Sequence, residues 1–141
     1  MKIGLDIHGV IDRYPEQFRD MSRTLMANGH EVYIITGQPW KQVAHTVAKA
    51  GVNYTDTFSI VDYHKKAKDT KMWKDKNGTW WMDEKVWIRS KGDYIERMHI
   101  DVHFDDSYEY AKYVPIFCAF VLVPKIGFDN FLKLCFNWFV K

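Results

Sequence analysis

Lys2-Ile3-Gly4-Leu5-Asp6-Ile7-His8-Gly9-Val10-Ile11 carries an apolar run straight into an aspartate, a histidine and a glycine. A carboxylate placed where a buried strand stops is held by rigid backbone. Its oxygens then face the crevice beyond the strand ends, which is where open α/β sheets bind ligands. Asp6 is therefore the first candidate site residue. His8, two residues on, brings a titratable imidazole to the same side if the strand persists.

Working outward from this stretch, strand and helix patterns alternate. Residues 3–7 read as a buried strand, and 15–28 as a helix with Phe18, Met21, Leu25 and Met26 at helical spacing, opened by Pro15 and closed by Gly29. A second strand is expected over 31–35, a second helix over 39–50 ended by Gly51, and a third strand over 57–61. An irregular, tryptophan-rich stretch follows. Beyond it, the pattern predicts a helix over 90–98, a strand over 100–104, a helix over 107–113, a strand over 116–123 and a final helix over 129–140. Alternation of this kind means parallel strands joined by right-handed crossovers. The expected fold is α/β, a Rossmann-like three-layer sandwich around a mainly parallel five-stranded sheet.

Composition agrees with one globular unit. The 141 residues are 47% hydrophobic and 27% charged, and no Pro/Gly/Ser-rich linker divides them, so a single domain over 1–141 is expected. Cys118 and Cys135 lie in apolar surroundings and read as reduced, buried thiols rather than a disulfide framework. No cationic leader precedes an apolar segment, and the longest apolar run, 114–124, is too short to span a bilayer; a cytoplasmic protein without membrane contact is expected. Net charge is only +2, but residues 65–91 hold nine Lys/Arg against Asp69, Asp75, Asp83 and Glu84. That surplus either steers an anionic ligand or is a solvated excursion.

Two more strand ends carry chemistry. Thr36-Gly37-Gln38-Pro39 sets a hydroxyl and a flexible backbone just ahead of a helix N-terminus, an anion-holding arrangement. Asp105-Asp106-Ser107 places paired carboxylates after an apolar strand, beside Asp6 if the strands are neighbours; the alternative is a simple helix cap. Together, three strands end in the residue types that a metal-assisted phosphate site requires.

With these motifs in order, the chain resembles the haloacid dehalogenase superfamily of phosphohydrolases. Asp6-Ile7-His8-Gly9-Val10 matches the first motif and Thr36 the second. Lys91, with Lys85 in reserve, matches the third, and Asp105-Asp106 the fourth. The run from Asp6 to Asp12 and the Asp-Asp-Ser ending are most similar to deoxyribonucleotidase-like and phage-type small phosphatases. The resemblance implies a Mg²⁺-dependent phosphoric monoester hydrolase acting on a small phosphomonoester, a nucleotide for preference, through an aspartyl-phosphate on Asp6. It implies metal ligands from Asp6, the backbone carbonyl of His8, Asp105 and Asp106. Thr36, Gly37 and Lys91 are implied to hold the phosphate.

His8 departs from the family pattern, which usually has a second aspartate there as acid and base. Three readings stay open: a working imidazole acid/base, a site that binds phosphorylated ligands while hydrolysing them poorly, and a deliberate replacement. A phosphate- or nucleotide-binding module of the same fold is thus the rival to the nucleotidase, and a phosphatase acting on a nucleic-acid end is a third possibility. His103 and His99 read as structural, and His30, His45 and His64 as loop or surface residues. No paired spacing suggests zinc.

Residues 64–88 sit where a small cap-like insertion is expected. Asn77-Gly78 between short β-prone arms predicts a hairpin, and Trp73, Trp80 and Trp81 are candidates to line the substrate, set against the plainer reading that they pack. Tyr14 is another candidate for the entrance. The apolar 129–140 segment wants burial on several sides, across the sheet or in a homodimer.

Overall fold

The computed structural model describes residues 1–127. The expected C-terminal helix over 129–140, its dimer contact and Cys135 lie outside the described residues.

Five parallel strands form the main sheet: β1 (Lys2–Leu5), β2 (Glu31–Thr36), β3 (Asp56–Ser59), β6 (Val102–Asp105) and β7 (Ala119–Leu122). Their order is β3-β2-β1-β6-β7, so the strand leading to Asp6 is central. Leu5 pairs with Ile34 on one side and Phe104 on the other, which brings the ends of β1, β2 and β6 level. A small antiparallel sheet, β4 (Met72–Lys74) with β5 (Trp80–Met82), stands apart from it.

Alternation along β2 shows the layering. Val32 and Ile34 join Phe18, Met21 and Leu25 of α1 (Pro15–Ala27) and Val43 and Val47 of α2 (Trp40–Ala50). Tyr33 and Ile35 join the opposite cluster, with Ile60 of α3 (Ile60–Ala67) and Tyr94 and Ile95 of α4 (Glu84–Met98). A strand buried on both faces needs a near-continuous apolar run, and Val32 to Ile35 supply it in β2. The result is the expected α/β three-layer arrangement with its small hairpin.

Local boundaries differ from the sequence expectation: β1 ends at Leu5 instead of 7, so His8 lies in a turn and not on a continued strand, and β6 covers 102–105 instead of 100–104. The third strand stops at Ser59 instead of running to 61, because the Ser59 hydroxyl caps α3 by accepting from the Asp62 amide at 3.1 Å. Ser59-Ile60-Val61-Asp62 is a capping pattern that the apolar pair inside it disguises. α4 starts six residues before the expected 90, where Asp83 accepts from the amides of Lys85 and Val86. Residues 108–113 form a 3₁₀ turn rather than an α-helix, and the last strand is shortened to 119–122.

The helices on the second face are stitched by one histidine. His64 is buried, with Nδ1 2.6 Å from Asp69 and Nε2 2.8 Å from Ser90 Oγ. Ser90 Oγ also donates to the Val86 carbonyl one turn back at 2.6 Å, so its hydroxyl serves the interior of α4. Among the described residues no helix is long and apolar enough to cross a membrane.

Candidate functional site

The site is built at the C-terminal edge of the sheet. The Asp6 amide donates to the Phe104 carbonyl at 3.0 Å, which ties the end of β1 to β6. The chain then turns through residues 7–11, where Gly9 takes φ +74° and its amide donates to Asp12 Oδ1 at 2.7 Å. A side chain at residue 9 would overlap the Asp106 carboxylate. Glycine is thus required twice over, for the left-handed turn and for the close approach of Asp106. One carboxylate oxygen from each of Asp6, Asp105 and Asp106 lies within 4.8 Å of the others.

Lys91 supplies the counter-charge. It reaches from α4 to place Nζ 3.0 Å from Asp6 Oδ1 and 2.7 Å from Asp105 Oδ2, and it is only 2% exposed. His103, on β6 two residues before Asp105 and so on the same side, places Nε2 3.1 Å from the same Oδ2. The Ser107 amide donates to Asp105 Oδ1 at 3.0 Å, which satisfies that carboxylate on both oxygens.

Burial and charge split the acids. Burial pushes Asp105 up, but Lys91 and His103 outweigh it and hold the group well below the usual carboxylate range. Asp6 is raised to about 6, first by burial and then by Asp105, against the lowering by Lys91. Asp105 takes a contact from His103 as well as from Lys91, and both favour its charged form. Asp106 is exposed yet also shifted up, by partial burial and by Asp105. Burial disfavours the charged Lys91, but Asp6 and Asp105 reverse the sign and keep it protonated.

An aromatic roof covers this network. The Lys91 ammonium lies 4.1 Å from the Tyr110 ring centroid, and Trp87 Nε1 donates to Tyr110 Oη at 2.8 Å. Trp87 also presses on Gly37, where a Cβ would come within 2.6 Å of the indole. Thr36 is fully buried, and its Oγ1 accepts from the Gln38 amide at 3.3 Å, so the hydroxyl shapes the 36–38 loop.

The structure brings Asp6, Asp105, Asp106 and Lys91 together, with Gly37 in contact with the roof. His8 is exposed and Lys85, the alternative to Lys91, is exposed on the first turn of α4. Tyr14 is buried, and its hydroxyl donates to the Pro124 carbonyl at 2.7 Å rather than standing free at an entrance. Trp80 lies between Lys65 and Lys74, whose ammoniums are 4.0 and 4.9 Å from its ring centroid, while Trp73 and Trp81 are 47% and 48% exposed. Sequence reasoning missed His103, Tyr110 and Trp87. Only His103 carried a signal, its i,i+2 relation to Asp105.

No family model and no curated relative matches the chain. Two crystal structures of the Streptomyces sp. SF2575 glycosyltransferase SsfS6 are similar to it. The one complexed with thymidine diphosphate is 18% identical, with a TM-score of 0.39 over 77% of this chain and 33% of that one. The other is 16% identical, with a TM-score of 0.36 over 74% and 32%. The chain spans about a third of the length of these structures. Neither is a haloacid dehalogenase-like phosphohydrolase. The expected membership of that superfamily is corrected by this finding, and with it the hydrolase, phosphatase and nucleotidase readings, including aspartyl-phosphate chemistry on Asp6 and the nucleic-acid-end phosphatase. Likeness at this level transfers no activity to the chain. The α/β fold stands on the chain's own sheet.

Proposed function

We propose that the chain is a binding module that takes a phosphorylated ligand, a nucleotide for preference, together with a divalent cation at the Asp6–Asp105–Asp106 edge of the sheet. The observation that carries the reading is charge in confinement. Three carboxylates converge within 4.8 Å, and one buried lysine answers them, which leaves a surplus of negative charge in a partly desolvated site. Such a surplus favours a divalent cation with oxygen ligands. Gly9 lets the Asp106 carboxylate approach the turn after β1, because a Cβ there would overlap it, and so keeps all three acids at one edge.

Asp6, Asp106 and the His8 carbonyl are the residues we assign to hold Mg²⁺. Asp105 supports them while committed to Lys91, His103 and the Ser107 amide. The bound cation would supply positive charge for phosphate oxygens that the carboxylates alone would repel. Lys91 acts from beneath, holding Asp6 and Asp105 together against their mutual repulsion. The half-buried Gly37 at the start of the 36–38 loop offers backbone to the ligand, and Thr36 fixes that loop.

Calorimetric titration tests this with Mg²⁺ alone and then with nucleoside monophosphates, with and without the metal. Saturable binding of Mg²⁺ at millimolar concentration, loss of it in Asp106→Asn, and nucleotide binding that needs the cation are expected. Nucleotide binding that is indifferent to both the metal and Asp106 would overturn the reading.

A further inference from the structure

The hairpin presents a second surface with its own chemistry. In β4 and β5 the register pairs Met72 with Met82, Trp73 with Trp81 and Lys74 with Trp80. Side chains alternate along each strand, so the Met pair and the Trp73–Trp81 pair fall on opposite faces of the ribbon. Met82 is buried and Met72 packs on the same cluster, which also holds Trp87 and Tyr110. That leaves Trp73 and Trp81 on the outer face, each about half exposed.

The outer pair is held in place. Asp75 accepts from the Trp81 indole at 3.0 Å, and its other oxygen accepts from the amides of Asn77 and Thr79. This fixes the turn and the Trp81 ring together. The segment is rich in exposed lysine, with Lys65, Lys66, Lys68, Lys71, Lys74 and Lys76; Lys65 and Lys74 lie over Trp80, on the Met72–Met82 face of the ribbon. The Trp73–Trp81 cross-strand pair leaves two half-exposed indoles side by side, apolar area that a ligand would take out of water.

We infer that the Trp73–Trp81 face of the hairpin binds single-stranded nucleic acid, its bases stacking on the two indoles and its phosphates drawn by the segment's exposed lysines. Stacking on aromatic platforms within a basic field is how single strands are bound without regard to sequence. Charge complementarity selects a polyanion, and the paired rings select one with exposed bases. An acidic protein segment meets only the first requirement, and a duplex hides the surfaces that the second needs. The inference does not depend on the acid site, since no group of the Asp6–Asp105–Asp106 cluster belongs to the hairpin.

Fluorescence anisotropy with a labelled oligothymidylate tests it on the full chain at low and moderate salt. Binding is expected, with quenching of tryptophan emission and an affinity that falls as salt rises. Trp73→Ala should weaken binding by roughly five- to 150-fold, the range for losing one stacked base, while Trp73→Phe should keep most of it. Among the described residues Trp73 makes no side-chain hydrogen bond, so the Phe variant and the circular dichroism of both separate loss of stacking from loss of the hairpin. Saturating Mg²⁺ and nucleoside monophosphate should leave the oligonucleotide bound. Equal affinity for duplex of the same length, equal displacement by polyglutamate, or Trp73→Ala binding as the parent does would each overturn the inference.

Discussion

Replacing Lys91 by methionine isolates the electrostatic core of the candidate site. The side chain is 2% exposed and of similar length, so the change removes a charge with little change of volume. It strips the counter-ion from Asp6 at 3.0 Å and from Asp105 at 2.7 Å, both buried. Breaking one partner out of a buried ion pair costs about 3–5 kcal/mol, because the remaining charge stays desolvated and unpaired. With a urea m-value of about 1–3 kcal/mol/M, the unfolding midpoint at neutral pH should fall by roughly 1–5 M. The acids themselves give a second readout. Asp105 is depressed in the parent, so its stabilising contribution is present above the ordinary carboxylate range and lost as pH falls. Without Lys91 that depression disappears, both acids are lifted by burial, and protonation relieves their repulsion. The deficit of Lys91→Met relative to the parent should therefore be largest at neutral pH and shrink towards pH 4 to 5. Lys85→Met, exposed on the same helix, should shift stability by less than about 0.5 kcal/mol. If Lys91→Met unfolds at the parent's midpoint, or its deficit is flat from neutral pH to pH 5, the buried triad of charges is not what holds this edge together.

Gly9 and Tyr94 give two further expected outcomes. Gly9→Ala should cost about 1–2 kcal/mol for the left-handed turn alone, and more through its overlap with Asp106. It should also weaken Mg²⁺ binding in calorimetry; an unchanged Mg²⁺ affinity would show that Asp106 can move aside freely. Tyr94 is raised to about 12, chiefly by burial and then by Asp56. A group raised on folding contributes stability that is full below its unfolded value near 10 and is lost as pH rises through the folded one. Tyr33 is likewise raised to about 12, by burial and then by Glu31, so an alkaline absorbance titration should show tyrosines ionising only near pH 12 or with unfolding, and Tyr94→Phe should shrink that phase by one tyrosine without removing it.

Much of the scaffold could be read from local pattern. Pro15 and Gly29 bracket α1, Gly51 stops α2, and Asn77-Gly78 turns the hairpin, because each of these residues acts through its own backbone geometry. The boundaries that slipped were set by side chains acting on neighbours. Ser59 capping Asp62 turned an apolar strand end into a helix start, and Asp83 did the same for α4. The family inferred from the motif order did not survive comparison, since an acid at a strand end followed by a threonine, a lysine and an acid pair is a pattern of types, and types do not fix ancestry or reaction.

The sequence by itself determined the alternation of strands and helices, and hence that Asp6, Thr36 and Asp105 would end parallel strands. Backbone period and turn residues carry that information locally. Only the tertiary structure decided that Lys91 rather than Lys85 answers the acids, and that Tyr110, held by Trp87, covers Lys91. Those choices depend on the angle at which α4 and the 108–113 turn pack on the sheet, and contacts between segments far apart in the chain leave no period in the sequence to read.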